Sequence, residues 1–389
     1  MANTLTGILP ILQDALNIVG REQVGFTMAC YKNVSSARAG KDQVVNYPTV
    51  PALAAGSVSP AATAPAGTDI VQANGSVTMD NLRKVSWNWT GEEQRSLEGG
   101  DKAPFADIAK QTLQQAARAL VNEIESSLWV AAFKGGSRAY GQAATTPFAT
   151  AGDLTDLSNM RRILNDNGAP ATDRHLVLGS AAMVNMTGKQ TILMKVNESG
   201  SDQTLRQGIV GRVTGFDVHE SYPITTFTAG TQAAATTDNA GYAVGAKTIT
   251  LASAGTGTIV AGDIVSIAGD GSSSKYVIKT GDSSVADGGT FILGSPGLRG
   301  TLSAATHALT TTATYTPNVA FHRNALHLIM RAPETGNDGA ADTVEYTDPF
   351  SGLIFQLARY GQYMQSSYEL RVLYGVKAVI PDFIATLIG

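Results

Sequence analysis

The chain has 389 residues, 43% hydrophobic and only 15% charged, with 41 glycines and a net charge of -4. This length supports two or three domains with real cores, while the slightly acidic balance gives no electrostatic case for tight nucleic-acid binding. A single cysteine, Cys30, excludes an intrachain disulfide and a cysteine metal cluster and reads as a small, partly buried core residue.

The chain opens on a short amphipathic helix. Leu5, Leu9, Leu12, Leu16 and Val19 recur at spacings of four, three, four and three, and Gly20 follows as a stop. No core is evident for this face, so it needs a partner, either its own chain or, as the sharper reading, a neighbouring subunit. Pro10 and Asp14 interrupt the segment and no basic region precedes it, so no signal peptide is read. No apolar run is long enough to span a bilayer, and the expectation is a protein made and kept in a cytoplasm, with no membrane partner.

Residues 43–50 (QVVNYPTV) read as a strand whose proline marks an edge. Residues 51–75 are Ala/Pro/Gly/Thr/Ser-rich without a period and read as loop. Residues 76–90 return as a strand in which Val85, Trp87 and Trp89 alternate with Lys84, Ser86 and Asn88. Together they predict a long hairpin arm with a flexible tip. Two tryptophans on one face of an arm need cover, and a neighbouring subunit rather than the arm's own core is the expected cover for Val85, Trp87 and Trp89.

Residues 104–134 predict the element on which the rest is built. Good helix formers fill the run, and Phe105, Ile108, Leu113, Ala116, Leu120, Ile124, Leu128 and Ala131 draw one apolar stripe. Pro104 suits a first turn, and Gly135 and Gly136 predict a left-handed stop. At 1.5 Å per residue such a helix is about 45 Å long, enough to cross a domain as a spine.

A second helix is predicted over 153–168, with Leu157, Met160 and Leu164 on one face, then a buried strand over 175–179, a short helix around 181–186 and a strand over 215–219. Mixed short helices and strands argue for an α+β region. From about Thr225 to Thr316 composition shifts to Thr, Ala, Gly and Ser, with short strands recurring between turns (KTITLAS, DIVSIAG, KYVIKTG, TFILG, HALTTTATY). That pattern predicts an inserted all-β barrel or sandwich. The first pattern resumes at 319–331, followed by strands over 342–346, 353–360 and 368–380.

Catalytic constellations are missing. His175, His219, His307, His322 and His327 have no metal-ligand spacing, and His322 and His327, five apart on a strand, face opposite ways. There is no GxSxG, and the glycine runs at 255 and 269 lie between strands and read as turns. Glu92, Glu93 and Glu98 with Arg95 read as a solvated hinge, and Glu123 and Glu125, two apart on a helix, do not face each other. No catalytic, cofactor-binding or metal residues are assigned.

Four stretches carry a resemblance: GRVTGFDVHES (211–221) before the insertion, AGDIVSIAG (261–269) within it, NVAFHRNALHL (318–328) where the main domain resumes, and ELRVLYGVKAVIP (369–381) at the C-terminal strand. In this order they resemble the major capsid (coat) proteins of tailed bacteriophages, and more closely the short-tailed phage coat family carrying a β-barrel insertion domain. The resemblance implies an N-terminal arm (1–41), an extended hairpin loop (42–100), a spine helix and peripheral region (101–150), an apical α+β region (151–224), an inserted barrel (225–317) and an apical and peripheral return (318–389). It further implies no enzyme activity and no cofactor, with self-assembly as hexamers and pentamers into an icosahedral virion shell, in the host bacterial cytoplasm. The shell would form on a scaffolding protein and expand as DNA enters. The implied partners are other copies, scaffold, portal and packaged double-stranded DNA contacted non-specifically, with a decoration protein left open. Two other classes stay open: a β-rich surface or adhesive protein, against which the missing export signal argues, and an enzyme with an unrecognised site.

Overall fold

The computed structural model describes residues 24–49, 72–93, 103–195, 206–335, 339–340, 342–348 and 351–389, with scattered positions between 50 and 71; of residues 36, 103–107 and 194 only the backbone is described. Leu5, Leu9, Leu12, Leu16 and Val19, and most of the Ala/Pro-rich tip, lie outside the described residues.

The spine helix runs Ala103–Lys134 and buries Leu113, Ala116, Leu120, Ile124 and Leu128 along the expected stripe. Val121, Trp129, Ala132 and Phe133 widen that stripe, because the helix is covered from two sides. The expected left-handed stop is corrected: neither Gly135 nor Gly136 has a positive φ. Gly135 is needed for space. A Cβ on Gly135 would stand 2.4 Å from the Ala378 Cβ and 2.7 Å from the Ala131 carbonyl oxygen, so only glycine lets the chain leave the helix against its neighbouring strand.

One side of the spine is covered by a six-stranded sheet in the order Tyr31–Ala39, Leu326–Pro333, Gln365–Ala378, Ile354–Gln362 and Asp342–Thr347. Asn81–Thr90 takes the other edge of Gln365–Ala378, pairing antiparallel from Thr90 opposite Gln365 to Asn81 opposite Tyr374. Period-2 alternation explains the packing: Leu370, Val372 and Tyr374 point into the shared core with Leu120, Ile124 and Leu128. The expected single strand over 76–90 is divided. Ala73–Thr78 pairs with Val44–Thr49 as a separate two-stranded ribbon, and the chain bends at Met79 and Asp80 to join the large sheet.

A second sheet runs through the α+β region in the order Arg212–Val213, Phe216–Glu220, Arg174–Leu178, Pro317–His322, Ile384–Ile388 and Arg138–Gly141. Helix Thr155–Asp166 closes against it through Leu157, Met160 and Leu164, and helix Ser180–Gly188 through Ala182 and Met186. Pro317–His322 lies beside Arg174–Leu178, so the chain returns to its sheet after an excursion of about ninety residues. The excursion's ends meet, since Phe227 and Tyr315 exchange both backbone hydrogen bonds at 2.8 and 3.2 Å. The strand expected to run through His322 and His327 is broken by a turn at Arg323–Ala325.

Within the excursion the strands Thr248–Leu251, Ile264–Ile267, Lys275–Thr280, Gly289–Leu293 and Leu309–Thr311 form a ladder in the order 309–311, 264–267, 275–280, 289–293, 248–251. Its two outer members are linked through Thr236 and Thr237, which bridge to Ala308 and Leu251 respectively. The circuit of hydrogen bonds encloses a core that includes Ile249, Val265, Ile278, Phe291 and Leu293. Val260 is exposed, and Ile264 and Val277 pack at the junction with Ala139 and Ile388. The segment is also not hung on a free linker, because Lys275 and Tyr276 pair with Ala139 and Arg138.

Candidate functional site

The residues proposed from sequence to meet a neighbour fall into two groups. Those of the N-terminal stretch lie outside the described residues. Val85, Trp87 and Trp89 share one half-buried face of Asn81–Thr90 with Arg83, whose Nε reaches Glu123 Oε1 at 2.7 Å. That ion pair turns the face toward the chain's own spine helix. Trp87 stacks on Tyr368 at 5.9 Å with a 14° interplanar angle, and Val85 packs on the same core. The expectation that this arm keeps off its own core is therefore corrected for Asn81–Thr90, whose pairing with Gln365–Ala378 brings Trp87 and Val85 onto that core. At its end, Thr90 and Glu93 form a reciprocal cap: the Thr90 N–H donates to Glu93 Oε2 at 2.9 Å and the Glu93 N–H to Thr90 Oγ1 at 3.1 Å. Glu93 is thus a capping residue, while Arg95 and Glu98 lie outside the described residues.

Glu125 was the residue sequence reasoning missed. It is buried in the spine, and its carboxylate accepts the Phe26 N–H at 2.6 Å, the Thr27 N–H at 2.8 Å, the Thr27 hydroxyl at 2.6 Å and the Ser221 hydroxyl at 2.7 Å. The short helix Gly25–Ala29, the spine and the end of Phe216–Glu220 are held at one point. A signal was present, because Glu125 continues the apolar row Val121, Leu128, Ala132 at helical spacing.

Parallel pairing of Arg174–Leu178 with Phe216–Glu220 also brings two histidines together: His175 Nδ1 lies 3.1 Å from His219 Nε2. Burial, and then Arg323, hold His175 below the usual histidine range, while burial and then His175 hold His219 at about 4. No linear spacing announces this pair, 44 residues apart. His322 turns away and accepts from the Asn324 N–H, and His327 lies against Tyr31 and Tyr47. Among the described residues, no group of three or more His, Cys, Asp or Glu side chains gathers where a metal ion would sit, and no helix is long and apolar enough to cross a membrane.

A cleft of about 420 Å³ lies between residues 138–150, the helix Thr155–Asp166 and the turn at 272–275. Arg138, Arg162 and Lys275 line it together with Asp153 and Asp156. These charges are largely spent within the chain: Arg138 donates to the Ile163 carbonyl and to Asn167, Lys275 to the Gly141 carbonyl at 2.6 Å, and Asp156 accepts from Phe148. The geometry holds neighbouring segments together.

No family model matches the sequence, and none of the curated proteins does. Solved structures do match. The cyanophage A-1(L) capsid asymmetric unit superposes with a TM-score of 0.51 at 11% identity, over 95% of this chain and 91% of that one. The capsid structure of cyanophage P-SCSP1u gives 0.50 at 12% identity, over 93% and 87%. At such identities the likeness is one of fold. The chain shares its α+β fold with these capsid structures along nearly its whole length.

Proposed function

We propose that the chain is a major capsid protein that self-assembles, as hexamers and pentamers, into the icosahedral shell of a tailed double-stranded DNA bacteriophage. The observation that carries the reading is the chain-long likeness to capsid structures, with spine, sheet and hairpin strand in one connected fold. Assembly runs through a precursor shell on a scaffolding protein, which expands as DNA enters the portal-bearing particle. The packaged DNA is contacted only weakly, in keeping with a net charge of -4. The excursion at 225–317 is a barrel domain of the kind found in short-tailed phage coats, supported by its circuit of hydrogen bonds. Flanking it are an arm at 1–41, a hairpin at 42–100, a spine region at 101–150, an apical part at 151–224 and a return at 318–389. The protein is built in the host cytoplasm and resides in the virion, where a decoration protein is a further candidate partner.

The contacts between subunits fall to Leu5, Leu9, Leu12 and Leu16 on the arm, and to those parts of Val85, Trp87 and Trp89 that the chain's own core leaves uncovered, since all three are only half-buried. The buried groups of the described residues act as ties between segments, which favours a structural role over an enzyme. Electron microscopy of the protein co-expressed with its scaffold tests the reading. Closed shells are expected; small discrete oligomers under every assembly condition overturn it.

A further inference from the structure

The helix Gly25–Ala29 is seated directly on two strands. A Cβ on Gly25 would stand 2.8 Å from Val177 Cγ1 and 2.9 Å from the Glu220 carbonyl oxygen, so nothing separates the helix from the strand pair. From there a row of rings runs to the imidazoles: Phe26 stacks on Phe321 at 6.0 Å, Phe321 lies 6.2 Å from His175, and His175 lies 5.3 Å from His219. His175 and Val177 share a strand face, and Val177 is paired with His219, so the histidines and the helix occupy the same side of the sheet.

The bond between the imidazoles sets how many protons they hold. His175 Nε2 lies 3.2 Å from Asp173 Oδ1. With that N–H donated to Asp173, neutral His175 accepts at Nδ1 and His219 donates from Nε2, a tautomer assigned from the partners. A first added proton on the remaining nitrogen of His219 leaves this bond intact. A second, on His175 Nδ1, sets two N–H groups head to head, and the rings must part.

The charged groups around the pair are few. Asp173 and Asp217 face it from the strand segments, and Arg323 lies 3.4 Å from both His175 Nε2 and Asp173 Oδ1. Arg212 reaches Asp217 at 3.9 Å, and Glu220 ends the same strand. Arg174 turns to the Ala169 and Pro170 carbonyls, and His322 to Phe383. The short helix has no charged side chain, and Glu125 holds its backbone from the spine. Arg323 makes the added positive charge costlier.

We propose that the His175–His219 pair is a proton-operated latch on the Gly25–Ala29 segment, whose double protonation parts the rings, shifts the Phe26–Phe321 row and frees the segment. The sign follows from both histidines titrating low when docked and near 6.5 when released. The latch is closed above about pH 6.5 and opens as pH falls toward about 4. It is a property of the folded chain and does not depend on shell assembly.

Hydrogen–deuterium exchange on the full, unassembled chain at pH 7.5 and 4.5, corrected for intrinsic rates, tests it. Opening across residues 24–30 is expected to rise roughly 10- to 100-fold at the lower pH, with little change across Lys275–Thr280. His219→Gln retains an amide donor toward His175 but takes no proton itself, so only His175 still titrates and the response across 24–30 is expected to be clearly smaller than that of the wild type. Unchanged wild-type protection at pH 4.5 overturns the latch. Equal loss in H219Q also overturns it, since the carboxylates would then carry the effect. Should H219Q not fold, the wild type decides alone: equal loss across 24–30 and 275–280 is global acid unfolding and sinks the proposal.

Discussion

Thr27 gives Glu125 both of its donors: the backbone N–H at 2.8 Å and the hydroxyl at 2.6 Å meet the same carboxylate oxygen, Oε2. The other oxygen takes Phe26 and Ser221. One buried acid therefore satisfies both ends of a problem. The first N–H groups of a five-residue helix have no intrahelical partners, and a carboxylate inside the core needs donors on every side. Replacing Glu125 by Ala leaves these donors buried without partners, and the expected loss is about 3–5 kcal/mol. Urea denaturation of the full chain measures it. A loss under about 1 kcal/mol would mean that water or a local shift serves as well as the carboxylate.

Trp87 separates a role in the subunit from one between subunits. It stacks on Tyr368 and packs on the spine-side core, so Trp87→Ala is expected to cost the isolated chain about 2–4 kcal/mol before assembly is considered. Trp89, further out on the same face, is the better probe of a neighbour. The comparison to make is the denaturation midpoint of each variant against its yield of shells. A W87A chain as stable as wild type would show that the stack contributes nothing and return the whole face to intersubunit contact.

What the sequence disclosed divides along a physical line. The spine was legible because its apolar stripe has a period that survives any context, and the strands of the excursion because turns punctuate them. The strands Tyr31–Ala39, Arg138–Gly141 and Ile384–Ile388 were not foreseen. YKNVSSARA has no alternation to read, since its pairing with Leu326–Pro333 is parallel and its side chains are mostly half-exposed. RAYG is too short to show a period. The glycines mark where the spine ends, but the crowding by Ala378 that requires Gly135 comes from a distant part of the chain and is invisible locally. The same holds for His175 and His219, which only strand register unites.

Cys30 offers a clean readout of native packing. It is buried, its thiol donates to the Thr27 carbonyl, and burial pushes its pKa up to about 12 against the opposing charge of Lys32. The thiol therefore stays protonated through the neutral and mildly alkaline range. At pH 8 the folded chain is expected to react with iodoacetamide roughly a thousandfold more slowly than the chain in denaturant. The native rate follows opening of the Gly25–Ala29 region. Brisk native labelling at pH 8 would contradict the burial and expose a second, open arrangement of that segment.

The excursion supplies the last test. Its core of Ile249, Val265, Ile278, Phe291, Leu293 and their neighbours lies wholly within residues 235–309, and its ends are clasped by the Phe227–Tyr315 pair. Two buried carboxylates work inside it: Asp263 accepts from the Gly230 and Val260 N–H groups, and Asp270 from the Ser272 and Ser273 N–H groups and the Tyr276 hydroxyl. None of these ties reaches the rest of the chain. Excision removes the pairing of Lys275 and Tyr276 with Ala139 and Arg138, the small cluster joining Ile264, Val277 and Tyr315 to Ala139 and Ile388, the contact of Phe227 with Phe133, and the hydrogen bonds of Lys275 to Gly141, Val277 to Ser137, Thr316 to Gly389 and Trp129 to Pro317. A segment of about ninety residues is large enough to fold on its own core. The fragment 225–317 is therefore expected to give a dispersed amide-proton NMR spectrum and a cooperative melt, with line broadening concentrated at residues 275–277, at Phe227 and at residues 315–317, where contacts are bared. A narrow, random-coil spectrum would mean that the junction, rather than the enclosed core, is what holds the segment in shape.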